Sequence, residues 1–177
     1  MVGLSDILNR VYLWIYCLPL AWLILLGAVA TVGFCILLRR FARCRWWRPV
    51  LYLMFCGWFA VVLWATLLQR GASELFEVRW IPFSSYLEIF SGNNPETFRT
   101  VLMNVALFYP AGLLLGSLIS RRRLCLLLLL GLFSLTIELS QFWFQLGFCE
   151  IDDVLHNTLG AALGFAAFRL FEKYTGE

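Results

Sequence analysis

The sequence predicts an all-α, polytopic membrane protein with about five transmembrane helices, because it is strongly apolar and its apolar residues form long runs. Hydrophobic residues make up 62% of the 177 positions and charged residues only 14%, which places the chain in the membrane class. The runs cover residues 11–38, 50–68, 101–119, 124–146 and 154–170, and each approaches or exceeds the roughly 17–25 residues that cross a bilayer as a helix. We therefore expect one membrane domain over residues 1–177.

Basic residues mark alternate connections between the predicted spans. The richest connections contain Arg39, Arg40, Arg43, Arg45 and Arg48, then Arg121, Arg122 and Arg123, and, after the last span, Arg169 and Lys173. The positive-inside rule assigns them to the cytoplasm, so the N-terminus is expected outside and the C-terminus inside. The outer regions hold only Arg10, Arg70, Arg79 and Arg99 of the 14 basic residues, and Cys149 is the cysteine expected there. The net charge of +3 follows this topological pattern and does not indicate a nucleic-acid partner.

The connection at residues 69–100 is too long for a turn and too apolar for a solvated loop. Pro82 prevents one helix from running through it, and Asn94 followed by Pro95 predicts the start of the helix that enters span three. We therefore expect an interfacial or re-entrant outer segment between spans two and three.

A small set of polar residues is predicted to lie at one membrane level, open to the outside. The set is Asn104 in span three, Glu138 and Gln141 in span four, and Asp152, Asp153 and Asn157 at the start of span five. Glu138 follows Leu124 by fourteen residues, which puts it about 21 Å from the inner face of the membrane. Polar groups inside a membrane are costly, so such residues are functional candidates by default.

Most of these residues also have a structural explanation. Asp152 or Asp153 could cap the N-terminus of span five and complement its dipole. The amides Asn104, Gln141 and Asn157 could join helices through hydrogen bonds worth roughly 1 kcal/mol each. For any one amide alone, this structural role is the favoured interpretation.

Glu138 is harder to explain by structure alone. A charge at that depth costs about 2.5–3.5 kcal/mol even on the lenient insertion scale, so we expect a proton on it or a cationic partner such as Arg79. The chain's histidine, His156, adjoins Asn157 on a different helical face and is expected to pack, not to react.

Gly160 and Gly164 in span five are four residues apart, a spacing that lets another backbone approach closely. We expect this step to serve packing within the bundle in preference to dimerisation.

The order of the polar residues resembles that of the VanZ-like family of bacterial membrane proteins. The matching segments are residues 79–83, 104–112, 138–141 and 150–160, within a VanZ-like region at residues 79–170. Members often carry an arginine shortly before the final acidic block, whereas residues 145–149 contain none, which leaves Arg79 as the nearest candidate for binding an anion. The resemblance implies a multi-pass protein of the bacterial cell membrane, part of the cell envelope, with a link to resistance to the glycopeptide antibiotic teicoplanin.

Two classes of function fit this set of residues. The first is an enzyme, a hydrolase or transferase that acts on a lipid headgroup or a lipid-linked cell-wall precursor. Its candidate catalytic residues are Glu138 and Asp153, and its candidate substrate-binding residues are Arg79, Asn104, Gln141, Asp152 and Asn157. Glu138 would be the general acid or base, and Asp152 and Asp153 could hold a divalent cation such as Mg²⁺.

The second class is a non-enzymatic protein that binds membrane lipids or a lipoglycopeptide antibiotic. Transport is disfavoured, because the predicted spans show no inverted repeat.

Overall fold

The computed structural model describes residues 20–41, 46–68, 70, 76–91, 95–118 and 123–175. The chain divides into two compact units, Met1–Phe41 and Ala42–Glu177. The described part of the first unit is a single helix, α1 (Leu20–Phe41). It covers most of the first predicted span, whose residues 11–19 lie outside the described residues.

The second unit consists of helices joined by short connections and two short strands. Its elements are α2 (Trp47–Leu63) with a π-helical continuation (Trp64–Leu68), β1 (Glu77–Arg79), α3 (Ser84–Ser91), α4 (Pro95–Leu118), α5 (Arg123–Phe144), β2 (Phe148–Glu150) and α6 (Ile151–Thr175). The start of α4 at Pro95 agrees with the predicted helix start, while Asn94 lies outside the described residues.

The all-α membrane architecture predicted from the sequence is confirmed. Within the described residues, 4 helices are long and apolar enough to cross a membrane, namely Trp47–Leu68, Glu96–Leu118, Cys125–Phe144 and Ile151–Tyr174. They correspond to the second to fifth predicted spans. In the first unit, α1 contains the apolar stretch Gly27–Leu38.

Helices α4 and α6 form the closest pair in the second unit because glycines let their backbones touch. A Cβ atom added to Gly160 would overlap with the carbonyl oxygen of Val105, and one added to Gly164 would overlap with that of Tyr109. Gly112 of α4 meets the carbonyl of Ala161 in the same way. The predicted use of the glycine step for packing inside the bundle is therefore confirmed.

An apolar core joins α2 to the pair α4 and α6 and to α5. Its buried members are Trp58, Val62, Phe108, Ala111, Leu130, Ile137 and Ala161. The indole N–H of Trp58 donates a 2.7 Å hydrogen bond to the carbonyl of Leu107, and its ring meets that of Phe108 edge to face. Since lipid is as apolar as these side chains, the close packing and the hydrogen bond hold the helices together.

The outer segment predicted between spans two and three contains β1 and α3. Strand β1 pairs in parallel with β2, so that Glu77 lies opposite Phe148 and Arg79 lies opposite Glu150. Pro82 separates β1 from α3, as expected, and Phe83 adopts a positive φ of 66° at this bend. The segment exposes large apolar side chains, as an interfacial segment does: Trp80, Ile81, Phe83, Leu87 and Phe90. Its strand pairing ties it to the start of α6.

Candidate functional site

A cavity of about 450 Å³ opens at the end of the bundle where α4 and α6 begin and α2 and α5 end. It is lined by Arg70, Arg79, Glu96, Thr97, Thr100, Leu146, Gly147, Phe148, Glu150 and Asp153. Acidic and basic side chains therefore share one wall. Of the predicted site residues, Arg79 and Asp153 line this cavity.

Asp153 lies where α4 and α6 meet. Its Oδ1 atom accepts a 2.6 Å hydrogen bond from Nδ2 of Asn104, on α4. The same oxygen is 3.9 Å from Nδ1 of His156, one turn further along α6. Asn104 and Asp153 are thus in contact, as their predicted common depth suggested, and the carboxylate of Asp153 lies on the cavity wall.

Asp152 has a role that neither of its predicted alternatives included. Its carboxylate accepts hydrogen bonds from the backbone N–H of Phe83 at 2.6 Å and of Ser85 at 2.9 Å, and from the hydroxyl of Ser84 at 3.3 Å. It therefore caps the N-terminus of α3, not that of its own helix. Because the side chain points into the outer segment and is almost fully buried, it does not line the cavity.

Glu138 is also buried, with 4% of its surface exposed, and it supports the strand beside the cavity. Its Oε2 atom accepts a 3.0 Å hydrogen bond from the backbone N–H of Glu150. Its backbone carbonyl accepts a 3.4 Å hydrogen bond from Sγ of Cys149. Burial, together with the nearby Glu138 carboxylate, raises the pKa of the Cys149 thiol to about 11.

Arg79 does not pair with Glu138, although such a pair was one of the two alternatives predicted for that carboxylate. Its guanidinium contacts the carboxylates of Glu77 at 3.1 Å, Glu88 at 3.0 Å and Glu150 at 3.4 Å. The hydrogen bond that Arg79 donates to the carboxylate of Glu77 raises the pKa of Arg79. Burial and the neighbouring Asp153 raise the pKa of Glu150, while Arg79 opposes that rise. The strand partner of Arg79 explains the difference, because the β1–β2 register sets Arg79 opposite Glu150.

Gln141 and Asn157 connect helices, which is the structural alternative predicted for them. Nε2 of Gln141 donates to the carbonyl of Thr66 at 3.0 Å, in the π-helical turn after α2. Nδ2 of Asn157 donates to the hydroxyl of Ser134 on α5 at 2.8 Å. Within the described residues, neither side chain lines the cavity, and each has a buried carbonyl oxygen without a hydrogen-bond partner.

His156 is packed inside the protein, as predicted from the sequence, and it lies beside Asp153. It is 1% exposed, neither ring nitrogen has a hydrogen-bond partner among the described residues, and its ring meets Tyr86 of α3 edge to face at 5.4 Å. Their proximity could have been predicted from the sequence, because Asp153 and His156 are three residues apart and so lie on one helical face. Arg70 lines the cavity but was not among the site residues predicted from the sequence, although it is one of the few basic residues expected outside.

The structure does not assemble a metal site from the acidic pair. Asp152 and Asp153 are directed to different partners, Phe83 and Ser85 in one case and Asn104 in the other. Over the described ranges, no group of three or more His, Cys, Asp or Glu residues is placed to hold a metal ion. The predicted sharing of a divalent cation by these two acids is therefore not supported by their geometry.

The fold and the site together define a multi-pass membrane protein with a charged cavity at one end of its helices. The chain belongs to the VanZ/LLP1 family, which it matches over residues 13–172. This confirms the resemblance, and the match includes the first two spans as well as residues 79–170. The chain is 36% identical over 84 residues to Protein VanZ of Enterococcus faecium, a stretch that is 45% of this chain and 50% of that protein. It thus spans about half the length of the curated relative it matches. No solved structure matches the chain.

Proposed function

We propose that this protein binds a lipid headgroup, or that of a lipid-linked cell-wall precursor, in the cavity at the outer end of its membrane helices. The observation that carries the proposal is the lining: side chains of both charges surround about 450 Å³ at the ends of helices long enough to cross a membrane. Small-molecule sites typically measure roughly 300–1,000 Å³. A headgroup is the polar ligand that a membrane supplies at this level.

The cavity is proposed to face the outside of the cell. Arg169 and Lys173 lie near the C-terminal end of α6, opposite the end that carries Asp153. The positive-inside rule assigns that basic end to the cytoplasm. Phe148, on the cavity wall, and Trp80, beside Arg79, are exposed apolar residues suited to contact with lipid.

The enzymatic version of this function is supported by Asp153 and His156. Asp153 lines the cavity and is within reach of a bound headgroup, and the imidazole of His156 lies 3.9 Å from its carboxylate. Glu138 lies behind β2 and would affect the reaction through Glu150, whose backbone it holds. Among the described residues, the lining contains no serine or cysteine, so direct attack by water or by a second substrate suits it better than a covalent enzyme intermediate.

The non-enzymatic version is supported by the structural roles of most of the polar residues that were predicted to form the site. Asp152 caps α3, Glu138 holds β2, and Gln141 and Asn157 join helices. A binding protein needs no proton-transfer group, and all four of these contacts would serve only to shape its cavity. It would retain a lipid without changing it.

The link to resistance rests on family membership and on the similarity to Protein VanZ of Enterococcus faecium. We extend the proposal accordingly: binding of an envelope lipid or of the lipoglycopeptide itself would lower sensitivity to teicoplanin. Expression in a susceptible host should raise the inhibitory concentration of teicoplanin and leave that of an antibiotic with a cytoplasmic target unchanged. An unchanged teicoplanin sensitivity at confirmed membrane expression would contradict this extension.

The decisive experiment is mass spectrometry of lipids retained by the purified protein, followed by incubation to detect a changed headgroup. We expect the parent and the surface control Lys173→Gln to retain the same lipid, and Asp153→Asn to retain less of it. Conversion of the lipid on incubation selects the enzymatic version, and retention without conversion selects the binder. A lipid profile in the parent identical to that of the whole membrane extract would refute the proposal.

A further inference from the structure

We propose that the cavity selects a zwitterionic headgroup that carries a phosphate and a primary ammonium, as in a phosphoethanolamine lipid. This inference rests on the proposed function and names its ligand class. It follows from how the two charges are distributed over the cavity wall and from which of the charged groups already have partners.

The phosphate is assigned to Arg70. Among the described residues, its Nη1 atom makes one weak hydrogen bond, at 3.4 Å to the carbonyl of Phe148, and the residue is exposed at the cavity. A guanidinium has five N–H donors in a fork that matches phosphate oxygens. Arg79 is less suited to this role, because its guanidinium is already shared among the carboxylates of Glu77, Glu88 and Glu150.

The ammonium is assigned to the acidic part of the wall. Glu96, Glu150 and Asp153 line the cavity together with the two arginines, so acidic residues outnumber basic ones among the described lining residues. Arg79 is in addition partly neutralised by Glu77 and Glu88, which are not part of the lining. A ligand that carried only negative charge would meet this acidic surface without compensation, whereas a zwitterion satisfies both parts of the wall.

A primary ammonium fits this wall better than a quaternary one. A primary ammonium donates three hydrogen bonds, and the carboxylates of Glu150 and Asp153 are acceptors. A quaternary ammonium has no N–H and is bound by cages of aromatic rings. Among the described lining residues, Phe148 is the aromatic one, and Arg79 already lies over its ring at 5.6 Å from the centroid.

His156 lies next to the cavity acid Asp153 without lining the cavity itself. Buried polar side chains are ordinarily hydrogen-bonded, yet this imidazole is 1% exposed and has no hydrogen-bond partner on either nitrogen among the described residues. Its Nδ1 atom faces Asp153, which lines the cavity. A donor that binds Asp153 from the cavity side would hold that carboxylate between Asn104 and the imidazole.

The test uses the full-length protein in nanodiscs whose phosphatidylcholine matrix contains equal fractions of phosphatidylethanolamine and phosphatidylglycerol. Bound lipid is counted by native mass spectrometry. We expect the parent to enrich phosphatidylethanolamine over both other lipids. Glu150→Gln should lower that enrichment about tenfold, because it removes one charged acceptor, and should not lower binding of phosphatidylglycerol. Arg70→Gln should weaken binding of both lipids, and Lys173→Gln should change neither.

The side chain of Glu150 contacts Arg79, whereas the hydrogen bond to Glu138 uses its backbone, so Glu150→Gln should fold. Thermal unfolding verifies this, and Glu96→Gln replaces the variant if it does not fold. Equal enrichment of phosphatidylglycerol or phosphatidylcholine, insensitive to the glutamate variant, would overturn the zwitterion assignment while leaving lipid binding in place. Absence of any lipid enrichment would overturn both this inference and the proposed function.

Discussion

The carboxylate of Asp152 and the backbone N–H of Phe83 form a 2.6 Å hydrogen bond between residues 69 positions apart in the sequence. This contact fixes the outer segment to the start of α6 at the residue where the segment bends with a positive φ. A second bond, from the N–H of Ser85, completes a cap on α3. The two adjacent acids thus have separate tasks: Asp152 holds the outer segment, and Asp153 faces the cavity.

The first prediction concerns this cap. Asp152→Asn should lower the free energy of unfolding by roughly 1–3 kcal/mol, because an amide accepts one of the two backbone bonds and presents its own N–H to the other donor. Thermal unfolding in detergent measures the effect. Ser91→Ala, which removes only an exposed hydroxyl bond at the far end of α3, is the matched control and should change stability little. Equal stability of Asp152→Asn and the parent would disprove the capping role.

The second prediction concerns the backbone contact between α4 and α6. Gly160→Ala should destabilise the protein by at least the roughly 1–3 kcal/mol typical of overpacking, because the added methyl meets a backbone carbonyl that cannot rotate away. Gly57→Ala is the control: a Cβ at Gly57 has nothing within 4 Å, and alanine favours the helix. Unfolding temperatures of both variants decide the point. Similar effects of the two substitutions would mean that the helices are not in contact at Gly160.

The third prediction concerns Arg79 and pH. Burial gives Glu150 a raised pKa in the folded protein, so the contribution of this group to stability is present below its ordinary pKa and is lost as pH rises through the raised one. Arg79 opposes this rise of the pKa of Glu150. Arg79→Gln should therefore increase the stability that is lost as pH rises. The unfolding temperature of the variant should therefore approach that of the parent near pH 4 and fall below it towards neutral pH. Lys173→Gln should show no such pH dependence. A constant difference between Arg79→Gln and the parent at every pH would contradict the electrostatic explanation.

Apolar runs and glycine spacing predicted much of this fold because they act locally. Span length follows from the number of consecutive apolar residues, and a Gly-x-x-x-Gly step places both glycines on one face of whichever helix contains them. The bend at Pro82 and the start of α4 at Pro95 follow from the missing N–H of proline. Each of these features is determined by a few neighbouring residues.

The partners of the polar side chains were not predictable in the same way. The parallel pairing of β1 with β2 sets Arg79 opposite Glu150, and no local pattern in either strand of three residues specifies that register. The same pairing brings α3 to Asp152 and Tyr86 to His156. The predicted depth in the membrane was enough to place Asn104 and Asp153 near each other. It could not distinguish Asp153, whose carboxylate faces the cavity, from Asp152, whose carboxylate caps a distant helix.

The fourth prediction concerns membrane topology. Cys149 was expected outside, but it is 1% exposed and its thiol has a pKa of about 11, so impermeant reagents should label it poorly. Exposed positions are needed, and Ser91→Cys on α3 and Lys173→Cys on α6 provide them in a protein whose native cysteines have been replaced. Labelling of intact cells should reach Ser91→Cys, and Lys173→Cys should react only after lysis. The opposite result would place the cavity at the cytoplasmic side.

The last prediction separates the cavity acid from the acids that support the structure. Asp153→Asn should abolish lipid retention or resistance more severely than Asp152→Asn at matched membrane levels, because only Asp153 lines the cavity. Its stability should remain close to that of the parent, since an asparagine oxygen can still accept the bond from Asn104. If the protein converts its lipid, the rate of conversion in Asp153→Asn should fall by about 10²-fold or more, as for loss of an acid or base.

Glu138→Gln is measured in the same assays, because an amide oxygen can keep the hydrogen bond from the backbone N–H of Glu150 and preserve the fold. Loss of function in that stable variant would keep Glu138 as a catalytic candidate, and full activity would remove it. Equal, mild defects in Asp152→Asn and Asp153→Asn would leave both acids with structural roles and exclude Asp153 as the centre of the site.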